Sequence, residues 1–309
     1  MTLLRRVVDV RYMVITALIV VGSLVPSGVA KAAPPPAPTP CTGTSCWYPA
    51  LDSRWQYQLQ GVAAYASTGG INVNISGMPF TGGAAVSPSV FDIDLYVDPA
   101  VAGNNTTINT AALNSIHANG GRVICYLSAG TFEPWRPDAA SYPDSIKGRS
   151  VSGFKDERWV DIRQTSILLP IMDARVAKCK QAGFDGVEWD TVDGYTNRTG
   201  FPLTAADQLF YNASLANLAH FYGLTVALKN DVEQLPDLSP YFDYAINEQC
   251  QQYNECDGYT TYFALNGKAV FQVEYKLRFS KFCPQANSAN RNAIKKTYDL
   301  FDTPWTPCK

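Results

Sequence analysis

The chain has 309 residues, 46% of them apolar and 17% charged, with a net charge of −2. That length supports one large domain or two small ones. The balanced charge offers no basic surface for nucleic acid and no acidic tail for a cationic partner.

Arg5, Arg6 and Arg11 lead into "YMVITALIVVGSLV", an apolar stretch of about fourteen residues where a membrane span needs ~20. "AKA" follows at Ala30–Ala32 with the small-x-small form of a cleavage site. Residues 1–32 therefore read as a signal peptide, and the chain as secreted and extracellular, with no membrane contact in its mature form. Residues 33–40, "APPPAPTP", read as a proline-rich linker. The catalytic domain is expected over 41–309.

Eight cysteines in an exported chain point to disulfides. Sequence leaves the pairing open. The short spacings favour Cys41/Cys46, Cys250/Cys256 and Cys283/Cys308, with Cys125 and Cys179 left over. Zinc is the rival, but no CxxC spacing or neighbouring histidine supports it.

Eight short runs rich in β-branched and aromatic residues follow: 55–61, 91–97, 122–130, 157–162, 184–190, 224–230, 241–250 and 269–276. Helical patterns alternate with them. "SILLPIMDARVAKCKQAG" puts Leu169, Met172, Val176 and Cys179 on one face, with Pro170 expected in the first turn. "TAADQLFYNASLANLAHFYG" opens on Thr204 and Asp207, a near capping box. "SANRNAIKKTYDLF" is a further helical candidate. Eight strands alternating with helices predict an α/β fold, a single (β/α)8 TIM barrel.

Catalytic groups of such barrels sit at the carboxyl ends of strands, and acids gather there. Asp92 and Asp94 share a face of the second run, and Glu133 follows the third. Asp161 ends the fourth, and Glu188 and Asp190 the fifth. Asn230 and Asp231 end the sixth, Glu248 the seventh, and Glu274 lies in the eighth. The two histidines, His117 and His220, fall in helical stretches, which argues against a Ser–His–Asp hydrolase and a histidine-ligated metal. No phosphate loop, dinucleotide fingerprint or G-x-S-x-G elbow is present. The chemistry left is that of paired carboxylates, and Tyr96, Tyr126, Trp135, Trp189, Tyr195, Tyr253 and Tyr275 lie near them as faces for sugar rings.

The ordered motifs "WQYQLQG", "DIDLY", "VICYLSAG", "EPWRPD", "WVDIR", "GFDGVEWDTVDGY", "ALKND", "INEQCQQYNEC" and "VFQVEY" resemble glycoside hydrolase family 114, the endo-α-1,4-polygalactosaminidases, over about residues 50–280. The resemblance implies a barrel that cleaves α-1,4-linked galactosamine polymers, such as galactosaminogalactan exopolysaccharide, with retention at the anomeric carbon. It makes Asp190, in the fifth-strand motif, the nucleophile and Glu248 the general acid/base. The family often has Pro-Asp-Asn or Leu-Asp-Asn around the nucleophile; "WDTVD" here puts Trp189 and Thr191 at the sugar pocket. Asp94, Glu188 and Asp193 are expected to pair with a C2 ammonium, and Tyr126 and Lys229 to donate hydrogen bonds. Tyr195, Asn230 and Glu274 complete the expected substrate contacts. No metal or cofactor is required, the partner is a polysaccharide, and a monomer is expected. The alternatives are a hydrolase of another α-linked glycan, a transglycosylase, or a carbohydrate-binding barrel without turnover.

Overall fold

The computed structural model describes residues 33–43, 46–154 and 156–309. The signal-peptide reading lies outside these residues. Among them, no helix is long and apolar enough to cross a membrane.

The barrel is built from strands β1 (Trp55–Gln58), β2 (Val90–Asp94) and β3 (Arg122–Ser128). A small antiparallel sheet then departs from it: β4 (Thr131–Phe132), β5 (Lys147–Ser150) and β6 (Arg158–Val160). The barrel resumes with β7 (Gly186–Asp190), β8 (Thr225–Lys229), β9 (Tyr244–Glu248), β10 (Val270–Glu274) and β11 (Asn292–Lys295). All eight barrel strands are parallel in chain order, and β12 (Thr306–Pro307) closes antiparallel against β11. The fold is an α/β barrel, with two corrections to the strand assignment. The run at 157–162 supplies β6, outside the barrel, so Asp190 ends the fourth barrel strand rather than the fifth. The eighth barrel strand is β11, cut from the segment read as a helix.

The seam between β1 and β11 is bridged mainly by side chains and the C-terminal segment. Trp55 Nε1 donates to the Asn292 carbonyl at 2.8 Å, and Lys296 Nζ to Gln56 Oε1 at 3.0 Å. Trp305 Nε1 donates to the Trp55 carbonyl at 2.8 Å.

Helix Thr165–Ala182 buries Met172, Val176 and Cys179, as their spacing requires. Pro170 lies inside that helix rather than in its first turn, and so removes one backbone hydrogen bond. Helix Ala205–Phe221 begins with the reciprocal Thr204–Asp207 capping box. The disulfides are Cys41–Cys46, Cys125–Cys179, Cys250–Cys256 and Cys283–Cys308. The second ties β3 to helix Thr165–Ala182. The proline-rich segment lies along helix Ala205–Phe221. Tyr241 donates to the Pro36 carbonyl at 2.7 Å, and Asn217 donates to Ala37 and accepts from the Thr39 amide, each at 2.9 Å. A chain already restricted by proline loses little entropy on docking.

Parallel register decides which side chains share the interior. Tyr57 pairs with Asp92, Asp94 with Tyr126, Tyr126 with Glu188, Lys229 with Ile246, and Val273 with Glu248. These positions point into the barrel, and the alternate ones point to the helices. Trp55, Tyr244 and Phe271, all fully buried, fill its floor, with Trp55 and Phe271 5.1 Å apart at the ring centroids. Each such side chain contributes ~2–3 kcal/mol by burial. A Cβ at Gly186 would stand 2.5 Å from the Tyr244 hydroxyl, so only glycine lets that ring lie flat across the floor.

Candidate active site

Three neighbouring strands end in charged residues that face inward: Asp190 on β7, Lys229 on β8 and Glu248 on β9. The Lys229 ammonium, 2% exposed, is their hub. It lies 2.9 Å from Asp190 Oδ1, 2.9 Å from Glu188 Oε1 and 3.5 Å from Glu248 Oε2. It also donates to the Tyr57 hydroxyl at 3.1 Å, and Tyr57 donates to Glu188 Oε1 at 3.0 Å. Tyr126 donates to Asp190 Oδ2 at 2.7 Å, and Tyr275 donates to Glu248 Oε1.

The residue after each of these three strand ends is left-handed: Thr191 (φ 62°), Asn230 (φ 49°) and Gln249 (φ 63°). A β-branched residue at positive φ is a genuine outlier. Such conformations cost ~1–3 kcal/mol each and persist only where the surroundings impose them. Here the backbone turns sharply away so that the last side chain of each strand stays aimed at the axis. Gly130 makes room for one of these turns, since a Cβ there would lie 1.7 Å from the Thr191 carbonyl oxygen. The Asn230 side chain, in turn, accepts from the Glu248 amide at 3.0 Å.

The electrostatics follow from burial and from the ammonium. Burial alone would raise Asp190, but the Lys229 charge and the hydrogen bonds from Lys229, Tyr126 and the Thr191 amide outweigh it and hold the carboxyl below its ordinary range. Burial works against the Lys229 charge too, yet Asp190, Glu188 and Glu248 push its pKa well above normal. Deeper in the barrel, burial and the Glu188 charge raise Asp92 well above the carboxylate range. Both Asp92 oxygens and Glu188 Oε2 are buried without a partner if both acids are ionised. A proton on Asp92, donated to Glu188, gives a partner to Glu188 Oε2 and to one of the two Asp92 oxygens. Burial raises Glu188 as well, against the opposing pull of the Lys229 charge. Glu188 and Asp190 both touch Lys229, with Glu248 at the edge of the layer.

Above this layer opens a cavity of about 630 Å³ that Asp190, Glu248, Lys229, Tyr126 and Tyr275 line from below. Its mouth carries Tyr96, Trp135 and Tyr298. Among the described residues, seven carboxylates face it, from Asp94, Asp98, Glu133, Glu157, Asp190, Glu248 and Asp299, against two cations, Arg136 and Lys229. Burial, with Glu133 and Asp190 adding to it, pushes Glu157 up to about 7. Among the described residues, no three His, Cys, Asp or Glu side chains are grouped to hold a metal ion.

The other expected contacts divide by position. Asp94 lines the cavity but is bound by Arg136 at 2.7 Å, and Arg136 also clasps Glu133 at 2.8 Å. Glu188 is fully buried beneath Lys229, out of reach of a sugar. Asp193, Tyr195 and Asn230 line an adjoining cleft. Trp189 and Glu274 sit at alternate positions and face out of the barrel, away from the cavity they were expected to line. The Trp189 indole donates to the Leu215 carbonyl at 3.1 Å, and Glu274 Oε1 accepts from the Gln251 amide at 2.8 Å. Lys229 is the neighbour of Glu248, whereas Arg163 is taken by Asp161 at 2.7 Å. Sequence reasoning missed Tyr57, the Asp92–Glu188 proton and the Arg136 clasp. Strand parity from Trp55 could have found Tyr57.

The sequence model of Glycoside-hydrolase family GH114 matches residues 36–309. The crystal structure of Aspergillus fumigatus Ega3 in complex with galactosamine is 31% identical, with a TM-score of 0.69 over 85% of this chain and 98% of that one. The glycoside hydrolase domain of PelA from Pseudomonas aeruginosa, 15% identical, shares the fold with a TM-score of 0.53 over 82% of this chain and 96% of that one. No curated protein matches the chain. A carboxylate-lined barrel mouth and a family match across the whole described domain lead to one assignment: the chain belongs to glycoside-hydrolase family GH114 and is a glycoside hydrolase.

Proposed function

We propose that the enzyme is secreted and hydrolyses α-1,4-linked galactosamine polymers with retention, using Asp190 as nucleophile and Glu248 as general acid/base. One observation carries this reading. The Lys229 ammonium touches Asp190 at 2.9 Å and lies 3.5 Å from Glu248, so the nearest oxygens of the two acids are no farther apart than the sum of those lengths. That bound admits the ~5–5.5 Å of a retaining pair.

In the first step an Asp190 oxygen bonds to C1 as the C1–O bond to the leaving sugar breaks. The Glu248 proton passes to the departing oxygen. Forming the ester removes the Asp190 charge, and Lys229 is left facing Glu248 at the stage when Glu248 must be an anion. Water then attacks C1, Glu248 takes its proton, and Asp190 leaves as a carboxylate. Tyr126 orients the nucleophile and Tyr275 the acid/base. The excess of carboxylates around the cavity suits a polymer carrying an ammonium at C2 and gives nothing to a neutral one. Four disulfides fit an oxidising, extracellular setting.

The test compares reducing-end release from deacetylated and fully acetylated polygalactosamine by the wild type, Asp190→Asn and Glu248→Gln, with the first-formed anomer read by proton NMR. Release from the deacetylated polymer alone, an α-product and loss of at least about a thousandfold in both variants are expected. Equal rates on the two polymers would remove the role given to the C2 ammonium. A β-product would remove retention.

A further inference from the structure

Next to the main cavity lies a second cleft of about 440 Å³, and Glu248 and Gln249 line both. Asp193, Asp231, Glu233 and Glu255 line it with Tyr195 and Tyr253, and no lysine or arginine is among its described lining residues. Four acids alone would be a solvated surface. Asp231 is the exception, being 3% exposed. Its Oδ2 accepts from Asn212 Nδ2 at 2.8 Å, while its Oδ1 has no hydrogen-bond partner. Tyr195, beside it, gives its one hydroxyl proton to Glu233 at 3.2 Å. The cleft is therefore short of donors around a buried acceptor, a deficit that a group with three N–H donors and a positive charge would fill.

We propose that this cleft is the leaving-side subsite, and that Asp231, Asp193 and Glu233 bind the C2 ammonium of the sugar next to the cut bond. The assignment rests on the catalytic roles proposed above. Asp190 attacks C1 from the face opposite the leaving oxygen, and Glu248 hands its proton to that oxygen. The departing sugar must therefore lie on the Glu248 side, where the second cleft begins. The side chain of Tyr253, 55% exposed at its edge, offers a face for the ring. Burial and the neighbouring Asp190 push Asp193 up to about 6, and burial with Asp193 pushes Asp231 up to about 8.

The experiment uses defined galactosamine oligomers differing only in N-acetylation of the residue just beyond the cut bond. The wild type is compared with Asp231→Asn, Asp193→Asn and Glu233→Gln. Asparagine tolerates the left-handed backbone at 231 (φ 49°), and Glu233 is exposed, so its variant folds whatever the others do. The wild type should favour the free amine by about tenfold or more in kcat/KM, the size of one charge-assisted hydrogen-bond set. Each variant should lower kcat/KM more on the free-amine oligomer than on the acetylated one, pulling that ratio toward one. Equal losses on both substrates would show a merely structural role and overturn the proposal, as would an unchanged ratio. A wild type that cuts both oligomers at the same rate would overturn the subsite but leave the catalytic assignment standing. A wild type that cuts neither would sink the substrate reading and the subsite together.

Discussion

Replacing Lys229 by methionine tests the electrostatic core of the site. At 2.9 Å from Asp190 and an effective dielectric of about 20, the ammonium attracts that carboxylate by about 6 kcal/mol. About a fifth of the Asp190 side chain is open to solvent (21%), so water entering the vacated space would recover part of this. The direction is unambiguous. Asp190 must be ionised to attack; without Lys229, burial prevails and its carboxyl holds its proton to higher pH. The acid limb of the kcat/KM profile should therefore move up, with a loss of about a hundredfold or more at pH 5 that narrows toward pH 8. The variant also strands Glu188, fully buried and 2.9 Å from the lost charge, which destabilises the fold by ~3–5 kcal/mol. Adding Glu188→Gln should restore much of that stability and none of the activity. The measurements are reducing-end kinetics from pH 4 to 8 and urea unfolding of the single and double variants. An acid limb that stays put in Lys229→Met would refute the claim that the ammonium keeps the nucleophile ionised.

Asp92→Asn should stabilise the protein near pH 7 and do so less near pH 3. Asp92 is raised in the folded state by burial and Glu188, so holding its proton costs stability as pH rises above the unfolded value; an amide carries no such cost. Urea midpoints at the two pH values decide it, and destabilisation at pH 7 would place the proton elsewhere. Tyr275→Phe removes the hydroxyl that donates to Glu248 and should lower kcat about tenfold with KM little changed; a change confined to KM would refute an orienting role. Cys125→Ala with Cys179→Ala opens a link of sequence separation 54 between β3 and helix Thr165–Ala182, expected to cost ~2–4 kcal/mol. A calorimetric Tm within a degree of the wild type would show that the bridge adds nothing to stability. Since burial pushes Asp193 up to about 6, KM for a free-amine oligomer should rise as pH falls through that value, while KM for its acetylated counterpart stays level.

Much of the architecture is written locally. The capping box at Thr204, the buried stripe Met172–Val176–Cys179 and seven of the eight barrel strands follow from periods of two and 3.6 and from local hydrogen bonding. Two segments were misread for one reason. "NAIK" has helix-compatible residues, and its pairing with β10 and β12 makes it a strand. "RWV" has strand residues, but it pairs with β4 and β5 and never reaches the barrel. Pairing is a tertiary term, and it overrides propensities worth a few tenths of a kcal/mol per residue.

The candidate site divides the same way. Asp190, Lys229 and Glu248 could be read from the strand ends, because residue type and position already say which groups are charged and near the axis. Parity also held the answer for Trp189 and Glu274: in a strand whose Glu188 and Asp190 face inward, residue 189 must face out. No local pattern could say that one ammonium would touch acids from two strands, that Asp92 would keep its proton, or that Glu248 would divide two cavities. Those facts depend on distances between residues far apart in the chain, and electrostatic interactions in a buried site change by several kcal/mol over an ångström or two. The chain determined which chemical groups stand at the barrel mouth; the closure of the barrel decided which of them meet, and so which are charged.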